Sequence, residues 1–151
     1  MADGIKVISR NRKASHNYHL IDRYEAGLVL MGSEIKSIRE GRVSLQEAYV
    51  TEMSGELWVL NMHIAEYKHA ARNGHEPLRP RKLLLHRKEI NTIMTELAKK
   101  GYTVVPTQLH LKRGRAKLEI ATAQGKKLYD KRDALRKKDD QRRAERAMRE
   151  Y

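Results

Sequence analysis

Residues 102–111 read YTVVPTQLHL and residues 116–123 read AKLEIATA, with Lys112-Arg113-Gly114-Arg115 between them. Tyrosine, β-branched residues and leucine suit a pleated, half-buried surface, so both runs read as strands, joined through a basic tip. Just upstream, residues 86–100 carry Ile90, Ile93, Met94 and Leu97 at i, i+3, i+4 and i+7. That spacing predicts a helix, with Lys99 and Lys100 in its last turn and Gly101 as its stop. Residues 65–82 hold Asn73-Gly74, Pro77 and Pro80 with little periodicity, and read as a long loop whose order depends on a partner. Residues 48–53 and 56–63 flank Ser54-Gly55, a two-residue turn between alternating runs and hence a hairpin. Ser33 is a candidate N-cap, followed by Glu34, Ile35 and Ile38 and closed by Gly41 in a left-handed conformation, which gives a short helix. Residues 18–24 and 27–31 read as two further strands.

No repeat of fixed length appears. About six strands with two or three helices in residues 1–125 make the chain mostly β with α. That inventory fits a small antiparallel barrel, with the oligonucleotide-binding barrel as first candidate, better than a parallel sheet. A length of 151 residues is that of one such domain.

Charge divides the chain. It has 32 Lys+Arg against 19 Asp+Glu, a formal net charge of +13, and a pI near 10.1, so its partner is expected to be a polyanion. Residues 126–151 hold 11 of the cations and 6 of the anions, with Leu128, Leu135 and Met148 as their only large aliphatic side chains. So little apolar area cannot offset an ordering cost of ~1 to 2 kcal/mol per residue, so this tail should be disordered when free. It is rich in helix formers and has no Gly or Pro, so it is suited to fold on binding. Cysteine is absent, which removes disulfides, thiolate catalysis and cysteine-ligated metals and agrees with a reducing, cytoplasmic setting. No run approaches the ~18 apolar residues of a membrane span, and the N-terminus lacks the apolar core of a secretory signal.

Catalytic signatures are equally scarce: no phosphate loop, dinucleotide fingerprint, nucleophile elbow or H-E-x-x-H occurs. Among seven histidines only His16 and His19 approach ligand spacing, and in an alternating strand they would face opposite sides, so no metal site is expected. His16 with Glu25 remains a conceivable acid–base pair for a ribonuclease. A basic, tailed ribosomal protein is another possibility. Seven tyrosines, one tryptophan and no phenylalanine offer rings that stack on unpaired bases while Lys and Arg hold phosphates. Tyr18, Tyr24 and Tyr129, next to basic clusters, are the candidates for stacking; Tyr49 and Tyr102 are expected in the core or at the barrel rim.

Six stretches in register resemble one family, the bacterial SsrA-binding proteins, also called small protein B. They are Asn11-Arg12-Lys13-Ala14 with His16 and Tyr18; Glu25-Ala26-Gly27; Gly32-Ser33-Glu34-Ile35-Lys36-Ser37-Ile38-Arg39; Arg81-Lys82-Leu83-Leu84-Leu85; Gly101-Tyr102-Thr103-Val104-Val105-Pro106; and Gly125-Lys126-Lys127 with Asp130-Lys131-Arg132. The resemblance implies an oligonucleotide-binding-like barrel, residues 1–125, that grips the tRNA-like domain of transfer-messenger RNA. It implies delivery to stalled 70S ribosomes for trans-translation, with no catalysis and no cofactor, by a protein that is a monomer in isolation.

By the same resemblance Asn11, Arg12, Lys13, His16, Glu25 and Leu84 lie at or beside the RNA-binding face, and Lys36, Arg81 and Lys82, cations within matching stretches, join them. Arg12 and Lys13 would neutralise phosphates. Glu25 must accept from amino or hydroxyl donors, and so would contribute specificity. Gly125, Lys126, Lys127, Tyr129, Asp130, Lys131 and Arg132 correspond to a hinge meeting the 16S rRNA decoding centre. Lys137, Lys138, Ala147 and Met148 would follow the vacant mRNA channel. Tyr129 stands where other members carry histidine, which keeps stacking but removes an imidazolium charge.

Overall fold

The computed structural model describes residues 4–67, 74–125 and 142–144. In chain order it runs through β1 (Ile5–Arg10), α1 (Arg12–Asn17), β2 (Tyr18–Leu28), α2 (Gly32–Arg39), β3 (Val43–Ser44) and β4 (Tyr49–Met53). It continues through β5 (Glu56–Leu60), β6 (His63–Ile64), β7 (Arg81–Leu84), α3 (Arg87–Leu97), β8 (Tyr102–Lys112) and β9 (Arg115–Gly125). Residues 142–144 are helical and exposed.

The strands of residues 102–123 form the seam on which the barrel closes. β8 and β9 pair from Tyr102↔Gln124 to Lys112↔Arg115 across a two-residue turn in which Arg113 (φ 54°) and Gly114 (φ 78°) are both left-handed. Pro106 has no N–H for a ladder, and the register shifts beside it, between Pro106 and Gln108. β9 continues onto β2, β2 onto β7, then β5, β4 and back to β8, a closed antiparallel ring of six strands. β1 adds to the β8 edge beyond its single contact with β4, Val50↔Val104. Alternate residues point inward, and Ala26, Val59, Leu83, Leu109, Leu118 and Ile120 have no exposed surface. Ile38 of α2 and Ile90 and Ile93 of α3 join the same core. Burying each such side chain is worth about 1.5–3 kcal/mol, which is what the amphipathic spacing of α3 encodes.

Several expectations are revised. Residues 18–31 form one long strand that ends at Leu28, rather than two. The polar middle is carried by a register shift between Leu20 and Arg23, where Thr122 Oγ1 accepts the Asp22 N–H at 3.0 Å. α1 escaped the periodicity reading because its six residues bury only Ala14. β1 escaped it because Ile5 and Val7 face outward, 51% and 38% exposed. The helix expected to be capped by Ser33 starts two residues earlier, with Met31 as N-cap; Glu34 Oε1 accepts the Met31 N–H at 2.8 Å. Freed from capping, the Ser33 hydroxyl lies 2.9 Å from His75 Nδ1, whose other nitrogen is 2.9 Å from Ile64 O. Of the two places expected for Tyr49 and Tyr102, Tyr49 is 40% exposed and so not core, whereas Tyr102 is half-buried beneath Lys99.

Residues 81 and 82 belong to β7 rather than a loop, and period-2 alternation gives Arg81 and Lys82 opposite fates. Arg81 points inward and has no exposed surface. Its Nε donates to Glu34 Oε2 at 2.5 Å, Nη1 to Met62 O, and Nη2 to Pro77 O at 3.1 Å. Arg79 donates to the other Glu34 oxygen. Burial pushes the Glu34 carboxyl upward, but the hydrogen bonds from Arg79, the Met31 N–H and Arg81 outweigh it and hold it below its ordinary value.

Candidate nucleic-acid interface

Register assembles one open face on the outside of the barrel. Gly27 of β2 lies opposite Leu84 of β7 on one side and Lys117 of β9 on the other; Lys117 lies opposite His110 of β8, and His110 opposite Val7 of β1. One step along, Glu25 faces Glu119. Leu84 is 51% exposed, an unusual position for leucine on a charged surface. It lies over the bare backbone of Gly27: a Cβ there would come within 3.2 Å of Leu84 Cβ.

Around Glu25, Gly27, Leu84 and Lys117 runs a cleft of about 480 Å³, continuous with a hollow of about 570 Å³ formed by Glu25, Lys112, Arg113, Arg115 and Lys117. The tight β8–β9 turn sets Lys112 opposite Arg115, so four cations crowd one rim. Glu25 sits among them, with Oε1 4.0 Å from Lys112 Nζ and Oε2 3.8 Å from His110 Nε2. The second carboxylate of this face, Glu119, is already engaged: Thr107 Oγ1 donates to it at 2.6 Å and Arg23 lies 3.4 Å away. The face can therefore attract phosphates along its rim and offers Glu25 as an acceptor beside an exposed apolar side chain.

The sequence-predicted residues do not form a single patch. Glu25, Leu84 and, on the outer side of β7, Lys82 lie at one end of β2. Arg12, Lys13 and His16 are exposed on α1, beside Tyr18, at the other end, where a cleft of about 420 Å³ also includes Tyr49. At ~3.3 Å per residue, the strand from Tyr18 to Glu25 spans roughly 20 Å, so His16 and Glu25 cannot act as one acid–base pair. Lys13 reaches Glu47 at 3.4 Å. Gly125 pairs with Tyr18, so β9 ends at the α1 end of the barrel, away from Glu25 and Leu84.

Two predicted RNA ligands lie buried instead. Arg81 is committed inside the barrel, as described above. Asn11 is also buried, its Nδ2 donating to Leu45 O at 3.2 Å and Pro106 O at 2.9 Å, so it pins β8 to the segment before β4. Tyr24 is half-buried and packs against the core; burial first, then Asp22, Glu96 and Glu89, raises its pKa. Lys36 is exposed, 5.4 Å above the ring of Tyr67. Lys126, Lys127, Tyr129, Asp130, Lys131, Arg132, Lys137, Lys138, Ala147 and Met148 lie outside the described residues. His110 and Lys117 were missed, although their alternation with Leu109 and Leu118 marks them as outward; Arg115 was read only as part of the tip. Among the described residues no group of three potential ligands could hold a metal ion.

The sequence profile of the SmpB protein family matches residues 8–150. The chain belongs to that family. It is 52% identical over 145 residues to the SsrA-binding protein of Geobacillus thermodenitrificans (strain NG80-2), covering 96% of this chain and 94% of that one. It is 48% identical over 150 residues to the SsrA-binding protein of Trichodesmium erythraeum (strain IMS101), covering 99% and 96%. Among solved structures, a chain described under "tmRNA-SmpB: a journey to the center of the bacterial ribosome" superposes with a TM-score of 0.70 at 37% identity, covering 85% of this chain and 94% of that chain. The family's fold is thus shared by this chain.

Proposed function

We propose that this protein binds transfer-messenger RNA and serves trans-translation on stalled ribosomes, a reading supported by relatives described as SsrA-binding proteins and by a structural neighbour described with tmRNA and the bacterial ribosome. The observation that carries the reading is the open sheet face, where Glu25, Leu84 and Lys117 meet beneath a rim of Lys112, Arg113 and Arg115. Arginine and lysine there neutralise phosphates, and Glu25 selects by accepting from base or ribose donors. The tRNA-like domain is the part gripped, and the protein acts by binding, without catalysis, in the cytoplasm and as a monomer in isolation. Residues 126–151 form a separate functional unit that orders in the empty mRNA channel, with the decoding-centre contact at its start. Two features support this division: the tail's dense charge, and the end of β9 at the α1 end of the barrel, roughly 20 Å from Glu25.

The deciding experiment is to sequence the RNA that copurifies with the full chain. Enrichment of transfer-messenger RNA is expected; bulk ribosomal RNA retained stoichiometrically after a high-salt wash would instead indicate a structural ribosomal protein. Deleting residues 129–151 is expected to leave that RNA bound while abolishing rescue, and loss of both together would refute the division.

A further inference from the structure

His110 lies beneath the groove, 5% exposed and flanked across the strands by Val7 and Lys117. Its Nδ1 is 3.3 Å from Gln108 Nε2, which can only donate, so Nδ1 accepts and the neutral ring carries its proton on Nε2. That Nε2 is buried and has no hydrogen-bond partner. It is 3.8 Å from Glu25 Oε2, about 1 Å beyond a normal bond. Buried donors are rarely left unpaired in a folded protein, and such an exception marks a contact completed by a further event.

We propose that His110 is a positioning residue for RNA selection. When RNA engages Glu25, the carboxylate settles onto His110 Nε2–H, and Oε1 is left as a directed acceptor for a base amino group or ribose hydroxyl. The argument rests on the RNA-binding reading above. A glutamate on a phosphate-binding surface repels its ligand unless its lone pairs meet donors. As a half-exposed side chain it also loses rotamer freedom on binding. A donor fixed in the barrel wall answers both: it stabilises the charge without occupying the outward oxygen, and it limits where that oxygen can point. Lys112, 4.0 Å from Oε1, supplies charge but no such direction, because its ammonium sits on a flexible stem. The arrangement turns a local liability into discrimination between RNAs.

The test measures binding of the full-length protein to a labelled tRNA-like fragment of transfer-messenger RNA and to an unrelated folded RNA of equal length. His110→Phe is expected to lose roughly tenfold affinity for the tRNA-like fragment and little for the unrelated one, with the salt slope unchanged. In a Glu25→Ala background the same change should have no further effect, and His110→Gln, which restores a donor near Nε2, should recover most of the loss. Additive losses in the double variant, or a loss shared equally by both RNAs, would overturn the proposal. Nitrogen NMR of the wild-type His110 ring supplies a readout independent of folding in the variants. Its Nε2 signal should move when the tRNA-like fragment is added and stay in place in Glu25→Ala, and an unmoved wild-type signal would also overturn it. Wild-type protein that failed to prefer the tRNA-like fragment would instead count against the functional reading.

Discussion

Replacing Arg81 by methionine separates a structural cation from an RNA-binding one. The substitution keeps the length and apolar stem of the side chain but leaves Glu34, which has no exposed side-chain surface, with only Arg79 and the Met31 N–H. It also removes the Arg81 donor from the carbonyl of Met62 and leaves that of Pro77 with the Ile64 N–H alone. Removing one member of a buried, hydrogen-bonded ion pair costs about 3–5 kcal/mol, a large share of the ~5–15 kcal/mol that holds a domain together. With a urea dependence of about 2 kcal/mol/M, the unfolding midpoint should fall by roughly 2 M. RNA affinity measured below the transition should match wild type, because Arg81 is inside the barrel wall. An unchanged midpoint with weakened RNA binding would refute the reasoning and return Arg81 to the interface.

Glu34 also predicts an acid response: because its folded pKa is lowered, the stability it supplies is complete above the unfolded value of about 4.5 and drains as pH falls through the lower native value. Urea titrations should show Glu34→Gln less stable at neutral pH but flatter than wild type below pH 4.5; parallel curves would contradict this. Lys117→Ala should reduce the slope of log K against log salt by about 0.7 on any folded RNA, read by fluorescence anisotropy, if Lys117 meets a phosphate. Asn11→Ala removes the side-chain donor that ties the carbonyls of Leu45 and Pro106 together and should cost about 1–3 kcal/mol in chemical denaturation, with RNA affinity unchanged in the folded protein.

The closed barrel was legible because its local signals agree. The left-handed Ser54-Gly55 and Arg113-Gly114 turns, the spacing of Ile90, Ile93 and Leu97, and Gly41 and Gly101 at positive φ each carry their own signature. What escaped reading had its cause elsewhere in the chain. β1 is a strand only because β8 offers an edge, and α1 is held by the single contact face of Ala14 against Val105 and Ala123. The candidate site divides in the same way. Glu25 and Leu84 could be named from motifs, but whether Arg81 or Lys82 faces outward depends on the pleat, which one register step reverses. Lys117 and His110 become neighbours of Glu25 only through pairing across three strands.

That ring closure has a consequence for synthesis. β2 hydrogen-bonds to β9, and the Asp22–Thr122 contact spans 100 residues. Chain emerging from a ribosome therefore displays the first two-thirds of the barrel without its closing staves, and an mRNA truncated before codon 115 yields a nascent chain whose second strand never meets its long partner. By the function proposed here, a factor that attends to interrupted translation cannot complete its own wall until codons 115–125 have been read.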